Sequence, residues 1–468
     1  MYSQKDITSN QVEMVLMLYR DWEKAIITVL LLKIKCIMRI ILDFGVSLYV
    51  SRRVYCRRYS MPTLSDRLKS LGVKVGAKDL PAPQLSKSYP VEEVVAGRFL
   101  ETKNGSTYII EEDFPVDYIH GQVGLRISTA LHTIARWAGE VKIADRNDES
   151  LVFLDTETSG LAGGTGTFAF LVGVGRYTPD GFHLAQYFMR DPLEEPALLL
   201  ALEEFIAPCQ TIVSFNGKAF DIPLLDTRYT LQGWKSPFKS FAHVDLLHLA
   251  RRLWRDRLPS RTLANIEVQI LHASRKEDEI PGWMIPEIYF DYLRSGDARP
   301  LQRVFYHNAM DVVSLAALLN HTSSLLENPK QTTEYIDLAA VARLLEDLGQ
   351  TDRAMELYET CLKAELPEDI YIDTLLRLSL VHKRNNNYTS ALPLWEQAAS
   401  RKKLFAYEEL AKYYEHHALD LESALKWTNQ GLEYIKTDGI PGVELSQWKL
   451  EFQHRLKRLQ RKIYTREE

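Results

Sequence analysis

At 468 residues the chain is long enough for two or three domains, and 46% hydrophobic with 25% charged residues is the composition of an ordinary folded protein. A net charge of −5 excludes a protein that coats nucleic acid through its overall charge, while leaving room for a local basic groove. The four cysteines, Cys36, Cys56, Cys209 and Cys361, show no paired spacing, which excludes a disulfide frame or zinc ribbon and points to reduced thiols in a cytoplasmic protein.

Residues 1–60 stand apart, with ten Lys/Arg against five Asp/Glu and an apolar stretch over 25–50. Lys33, Lys35, Arg39 and Asp43 interrupt that stretch, so it lacks the roughly 18–20 uncharged residues of a membrane span, and no small-residue cleavage site succeeds it. The expectation is upstream sequence translated by mistake, with Met61 as the start, or else a disordered N-terminal extension. From there Thr63 or Ser65 caps a short helix that stops at Gly72, and 76–90 reads as a linker. Asn104-Gly105 signals a hairpin over 99–111, and a helical pattern covers 127–137. Residues 61–148 are therefore read as a lead-in subdomain or an edge packed on the domain over 149–325.

Strand and helix patterns alternate over 149–325. Strands are expected at 151–154, 168–176, 183–189 and 211–215, with a helix over 194–207 and a turn at Pro179-Asp180-Gly181. Helices after an initial β-meander imply an α/β layer fold. The glycine-rich 163–167 lacks the Lys-Ser/Thr of a phosphate-binding loop and reads as a close-packed turn.

The first strand ends in Asp155-Thr156-Glu157, and alternation along an extended chain puts both carboxylates on one side. Such a pair suits a hard cation such as Mg²⁺ or Mn²⁺. Asp221 comes after the turn Asn216-Gly217, at a helix start. His307 and Asp311, four residues apart, share one face of a helix through Leu319, whereas Tyr306 is rotated away and reads as a core residue. Asn216 either holds its turn or touches substrate, and Phe215 or Phe220 either packs or stacks a base. Asp245, between His243 and His248, reads as a helix cap. Arg251, Arg252, Arg255, Arg257 and Arg261 form a basic run, either a solvated face or a contact to a nucleic-acid backbone.

Asp155/Glu157, Asp221 and Asp311, in that order, resemble the DEDD superfamily of ribonuclease H-like 3′–5′ exonucleases. Gly160 to Thr167, the stretch from His243 to His248, Pro281-Gly282 and Ile285-Pro286 make 148–325 look more closely like a YprB-type ribonuclease H-like domain. One departure stands out. The superfamily's histidine subtype places its His one position further from the last Asp, and its tyrosine subtype has a Tyr where His307 stands. Spacing therefore leaves the subtype open.

The resemblance implies that Asp155, Glu157, Asp221 and Asp311 bind two divalent cations, with Asp155 bridging them. It also implies that His307 orients or deprotonates the attacking water. Like charges about 4 Å apart cost roughly 4 kcal/mol per pair at an effective dielectric of 20, and two divalent cations would cancel four carboxylates. The implied activity is release of nucleoside monophosphates from single-stranded 3′ ends of DNA or RNA.

From Tyr335 the pattern is helical, with anchors at Ala354/Leu357/Tyr358, Ala391/Leu394/Trp395 and Ala424/Trp427, spaced 37 and 33. This resembles degenerate tetratricopeptide units within 335–468, which would offer a surface to a protein partner. Arg455, Lys457, Arg458, Arg461 and Lys462 make the last helix basic. The expectation is thus a ribonuclease H-like α/β core followed by an all-α repeat domain, acting as a nuclease without a membrane segment. The alternatives are an adaptor whose nuclease fold is vestigial, and an endonuclease of the same fold.

Overall fold

A computed structural model describes residues 89–160, 166–275, 280–437 and 443–467. The chain divides into two units, 1–84 and 85–468, and the described residues belong to the second. The expected N-terminal extension, the helix capped by Thr63 or Ser65, most of the linker and the start of the glycine-rich turn lie outside the described residues.

The strands are β1 (Arg98–Thr102), β2 (Gly105–Pro115), β3 (Ile119–His120), β4 (Val123–Gly124), β5 (Leu151–Thr158), β6 (Ala169–Thr178), β7 (Gly181–Phe188), β8 (Thr211–Ser214) and β9 (Ala242–Asp245). Seven of them form one mixed sheet in the order β1-β2-β7-β6-β5-β8-β9. Pairing is antiparallel through the meander and parallel for β5–β8 and β8–β9. The hairpin read at Asn104-Gly105 forms as β1–β2, and β2 extends the sheet by pairing with β7.

Helices α1 (Val91–Val94), α2 (His132–Ala138), α3 (Glu195–Ile206), α4 (Asp221–Leu231), α5 (Leu246–Leu253), α6 (Leu263–Ile266), α7 (Ile285–Ser295) and α8 (Leu301–Glu327) accompany the sheet. Strand β5 shows how the layers form. Val152 and Leu154 pack with residues of α3, α4 and α7, while Leu151 and Phe153 pack with residues of α2, α5 and α8. A sheet covered on both faces needs apolar residues at consecutive positions, which is why β5 opens with an unbroken apolar run.

The helix expected over 127–137 forms only as α2. Upstream, Ser128 donates its N–H and hydroxyl to Asn320 Oδ1, both at 2.9 Å, and the Thr129 hydroxyl bonds Ser323 at 3.0 Å. Hydrogen bonds to α8 hold this stretch outside the helix.

The carboxy-terminal region contains helices α9 (Tyr335–Asp347), α10 (Thr351–Cys361), α11 (Glu368–Arg384), α12 (Tyr388–Ser400), α13 (Leu404–His416), α14 (Leu421–Thr437) and α15 (Val443–Glu467). The first six pair in sequence across short turns, and Ala354, Ala391 and Ala424 are fully buried where paired helices meet. The architecture is thus a mixed α/β core followed by an all-helical region. Among the described residues no helix is long and apolar enough to cross a membrane.

Candidate active site

Because β5 alternates its faces, Asp155 and Glu157 continue the side of Leu151 and Phe153 and meet α8 at the carboxyl end of the strand. Helix α8 presents His307, Asn308 and Asp311 there. His307 Nε2 lies 3.6 Å from Asp311 and 3.9 Å from Glu157. Asp221 begins α4 just after β8, the parallel neighbour of β5, and its carboxylate accepts the Thr156 hydroxyl at 2.5 Å. The four acids and the histidine read from the sequence therefore gather at one end of the sheet.

Their environment is hostile to charge. Burial, reinforced by Asp311 and Asp221, raises the Asp155 carboxyl well above its ordinary range, and burial with Asp155, Asp311 and Asp221 does the same to Glu157. Burial raises Asp311 as well, opposed by Arg275, and pushes Asp221 up to about 6 against the bond from Thr156. A buried set of oxygen donors whose charges repel fits a hard divalent cation in its chemistry. Among the described residues no three acidic, imidazole or thiol groups form a ready-made ion cage. Asp155, Asp221 and Asp311 instead accept hydrogen bonds from Asn308, Thr156 and Arg275.

Asn308 was not singled out by the sequence, yet it is fully buried and donates to Asp155 Oδ2 at 2.9 Å. Gln186 on β7 donates to Asn308 Oδ1 at 2.9 Å, which fixes the amide's orientation. Gly173 makes room: it pairs with Asp155 across β5–β6, and a Cβ there would stand 2.2 Å from Asn308 Oδ1. A Cβ at Gly175 would likewise press on Phe182 and Val312. Two glycines at alternate positions of a buried strand were the signal of this close approach of α8.

Arg275 and Glu267 were also not anticipated. Glu267 opens a single π-helical turn, Glu267–Leu271, after α6, and His272 then takes a left-handed conformation at φ 54°. Arg275 donates to Glu267 through Nε and to Asp311 through Nη2, and its Nη1 lies 3.4 Å from His307 Nδ1. Burial would raise the Glu267 carboxyl, but hydrogen bonds from His120, Arg275 and Ser314, with the charge of Arg275, hold it below the usual range.

The remaining expected residues fall elsewhere. Asn216 is exposed in the turn at φ 71°. Asp245 caps α5 through Leu247 N–H at 3.1 Å and also accepts the N–H groups of Asn216, at 2.8 Å, and Lys218, at 3.1 Å. Phe215 is half-buried against the core, and Tyr306 is half-buried. The basic run lies where the core meets the helical region: Arg252 pairs with Asp347, Arg257 with Glu334 and Asp337, and Arg255 with its neighbour Asp256. Arg251 is exposed on α5. In α15, Arg455, Arg458 and Lys462 all bind the buried carboxylate of Glu415, so these cations brace the last helix.

The fold points to the ribonuclease H-like class, and residues 152–323 match the RNase_H superfamily. The chain is 32% identical over 335 residues to "Uncharacterized protein YprB" of Bacillus subtilis (strain 168), a match covering 69% of this chain and 80% of that protein. It belongs to the YprB family, and the resemblance read from the motifs holds to that level.

Proposed function

We propose that this chain is a metal-dependent nuclease, a 3′–5′ exonuclease acting on single-stranded DNA or RNA ends. The observation that carries the reading is the convergence of Asp155, Glu157, Asp221 and Asp311 at one sheet end, where burial raises all four carboxyls and repulsion from the neighbouring site acids raises Asp155 and Glu157 further. These residues would hold two divalent cations, Mg²⁺ or Mn²⁺, which stabilise the attacking and leaving oxygens of phosphodiester hydrolysis. Asn308 orients Asp155 for that role. His307 stands between Glu157 and Asp311, where its Nε2 can hold a proton at the rim of the acidic group. The helical pairs are proposed as the surface for a protein partner.

The test is incubation of the protein with 5′-labelled single-stranded oligonucleotides in Mn²⁺, Mg²⁺ or EDTA, beside the Asp155→Asn variant. The expected result is a ladder shortening from the 3′ end that needs metal and is abolished in the variant. A single internal cut would replace the exonuclease by an endonuclease. No cleavage under any metal would leave the helical pairs as the working part of the protein.

A further inference from the structure

We propose that Arg275 is a positioning residue of this site: anchored by Glu267, it pins Asp311 and His307 and competes with a divalent cation for Asp311. The inference rests on the metal-dependent reading above and deepens it.

Arg275 is no stray surface side chain. Its guanidinium side chain is 7% exposed, and its anchor Glu267 is fully buried. The Ser314 hydroxyl donates to Glu267 Oε1, and Ser314 lies on α8 three residues beyond Asp311. A closed loop of bonds results, running from Asp311 through Arg275, Glu267 and Ser314 back to α8. His120 Nε2 lies 3.6 Å from Glu267 and 2.9 Å from the Ser314 hydroxyl, tying β3 into the same loop. A planar guanidinium suits this task because its fork serves several acceptors in fixed directions, which an ammonium cannot do.

The Glu267–Arg275 pair is neutral as a unit, yet it sets a cation directly on one of four acids. Asp311 Oδ1 is occupied by Arg275, while Oδ2 faces His307. A divalent cation drawn to Asp311 therefore meets a competitor already in place. Arginine can also only donate, so the 3.4 Å contact makes His307 Nδ1 the acceptor. When neutral, the ring then carries its proton on Nε2, toward Asp311 and Glu157.

A merely structural brace and a competing, positioning cation predict opposite signs. Replacing Arg275 alone would strand a buried Glu267 charge, so the test removes both in Glu267→Gln/Arg275→Gln. Titration calorimetry of the full chain with Mn²⁺ should show binding roughly tenfold tighter in the double variant than in wild type. Its kcat on a single-stranded oligonucleotide should fall, because Asp311 and His307 are no longer fixed. Arg275→Lys, which keeps the charge without the fork, should move both quantities the same way by less. Mn²⁺ binding that is unchanged or weaker in both variants would overturn the proposal while leaving the nuclease reading intact. If wild type binds no Mn²⁺, the metal-dependent reading falls and this proposal falls with it.

Discussion

At the scale of single residues the acidic site is a store of unfavourable charge, and this has a measurable sign. Asp221 has its carboxyl pushed up to about 6 in the fold, against an ordinary value of about 3.9 in the unfolded chain. Between these values the folded protein holds a proton that the unfolded chain has lost. The contribution is therefore fully present below about pH 4 and lost as pH rises through about 6. Asp221→Asn keeps a neutral side chain throughout. In chelator its stability advantage over wild type should widen by about 2–3 kcal/mol between roughly pH 4 and pH 7, read from urea midpoints. A difference that stays constant across that window would contradict the raised carboxyl. The four acids and His307 were legible because carboxylates at a strand end and an i, i+4 pair on a helix are patterns of spacing. Arg275 was not, since its approach depends on a π-helical turn and a left-handed His272, and no apolar periodicity announces either.

At the scale of elements, the site depends on how closely α8 lies on β6. Gly173 and Gly175 leave the strand surface bare where Asn308 and Val312 descend on it. Gly173→Ala would place a Cβ against the Asn308 amide, which Asp155 and Gln186 hold on its two sides. The amide has nowhere to retreat without releasing Asp155. The expected cost is about 1–3 kcal/mol of stability by thermal melting, with nuclease activity falling roughly 10–100-fold, as when support for metal-binding residues is lost. A variant as stable and active as wild type would show that α8 can rise off the sheet freely. Strands β5 to β8, the hairpin and the long helix could be read from apolar runs, turn residues and the i, i+4 pair, whereas β9 was read only as a helix cap at Asp245. The failure at 127–137 is equally physical: Ser128 and Thr129 satisfy their hydrogen bonds on Asn320 and Ser323, nearly two hundred residues away, and a local pattern cannot foresee such a partner.

At the scale of the whole molecule, the α/β core and the helical pairs share one interior. The apolar cluster that contains Leu151 and Phe153 of β5 continues through Leu315 and Leu319 of α8 and Leu246 and Leu253 of α5 to Leu338, Leu345 and Tyr358 of α9 and α10. Trp254, 1% exposed, sits at the crossing, and its indole donates to Asp337 of α9 at 3.2 Å. Burial pushes the Asp337 carboxyl up to about 6 despite the nearby Arg257 and the bond from Trp254, so this junction joins polar groups as well as apolar ones. The buried Trp254 and the continuous apolar cluster tie the two parts together. The two parts should therefore unfold together: urea titrations followed by tryptophan fluorescence and by far-ultraviolet circular dichroism should trace one coincident transition. Trp254→Ala should move that whole transition down by about 3–5 kcal/mol, the cost of emptying a buried aromatic site. A variant in which the helical signal melts early while the nuclease core keeps its wild-type midpoint would show that the shared interior does not couple them. The basic run that begins in the last turn of α5 belongs to the same junction: Arg252 and Arg257 reach carboxylates of the first helical pair, which makes them part of the shared boundary.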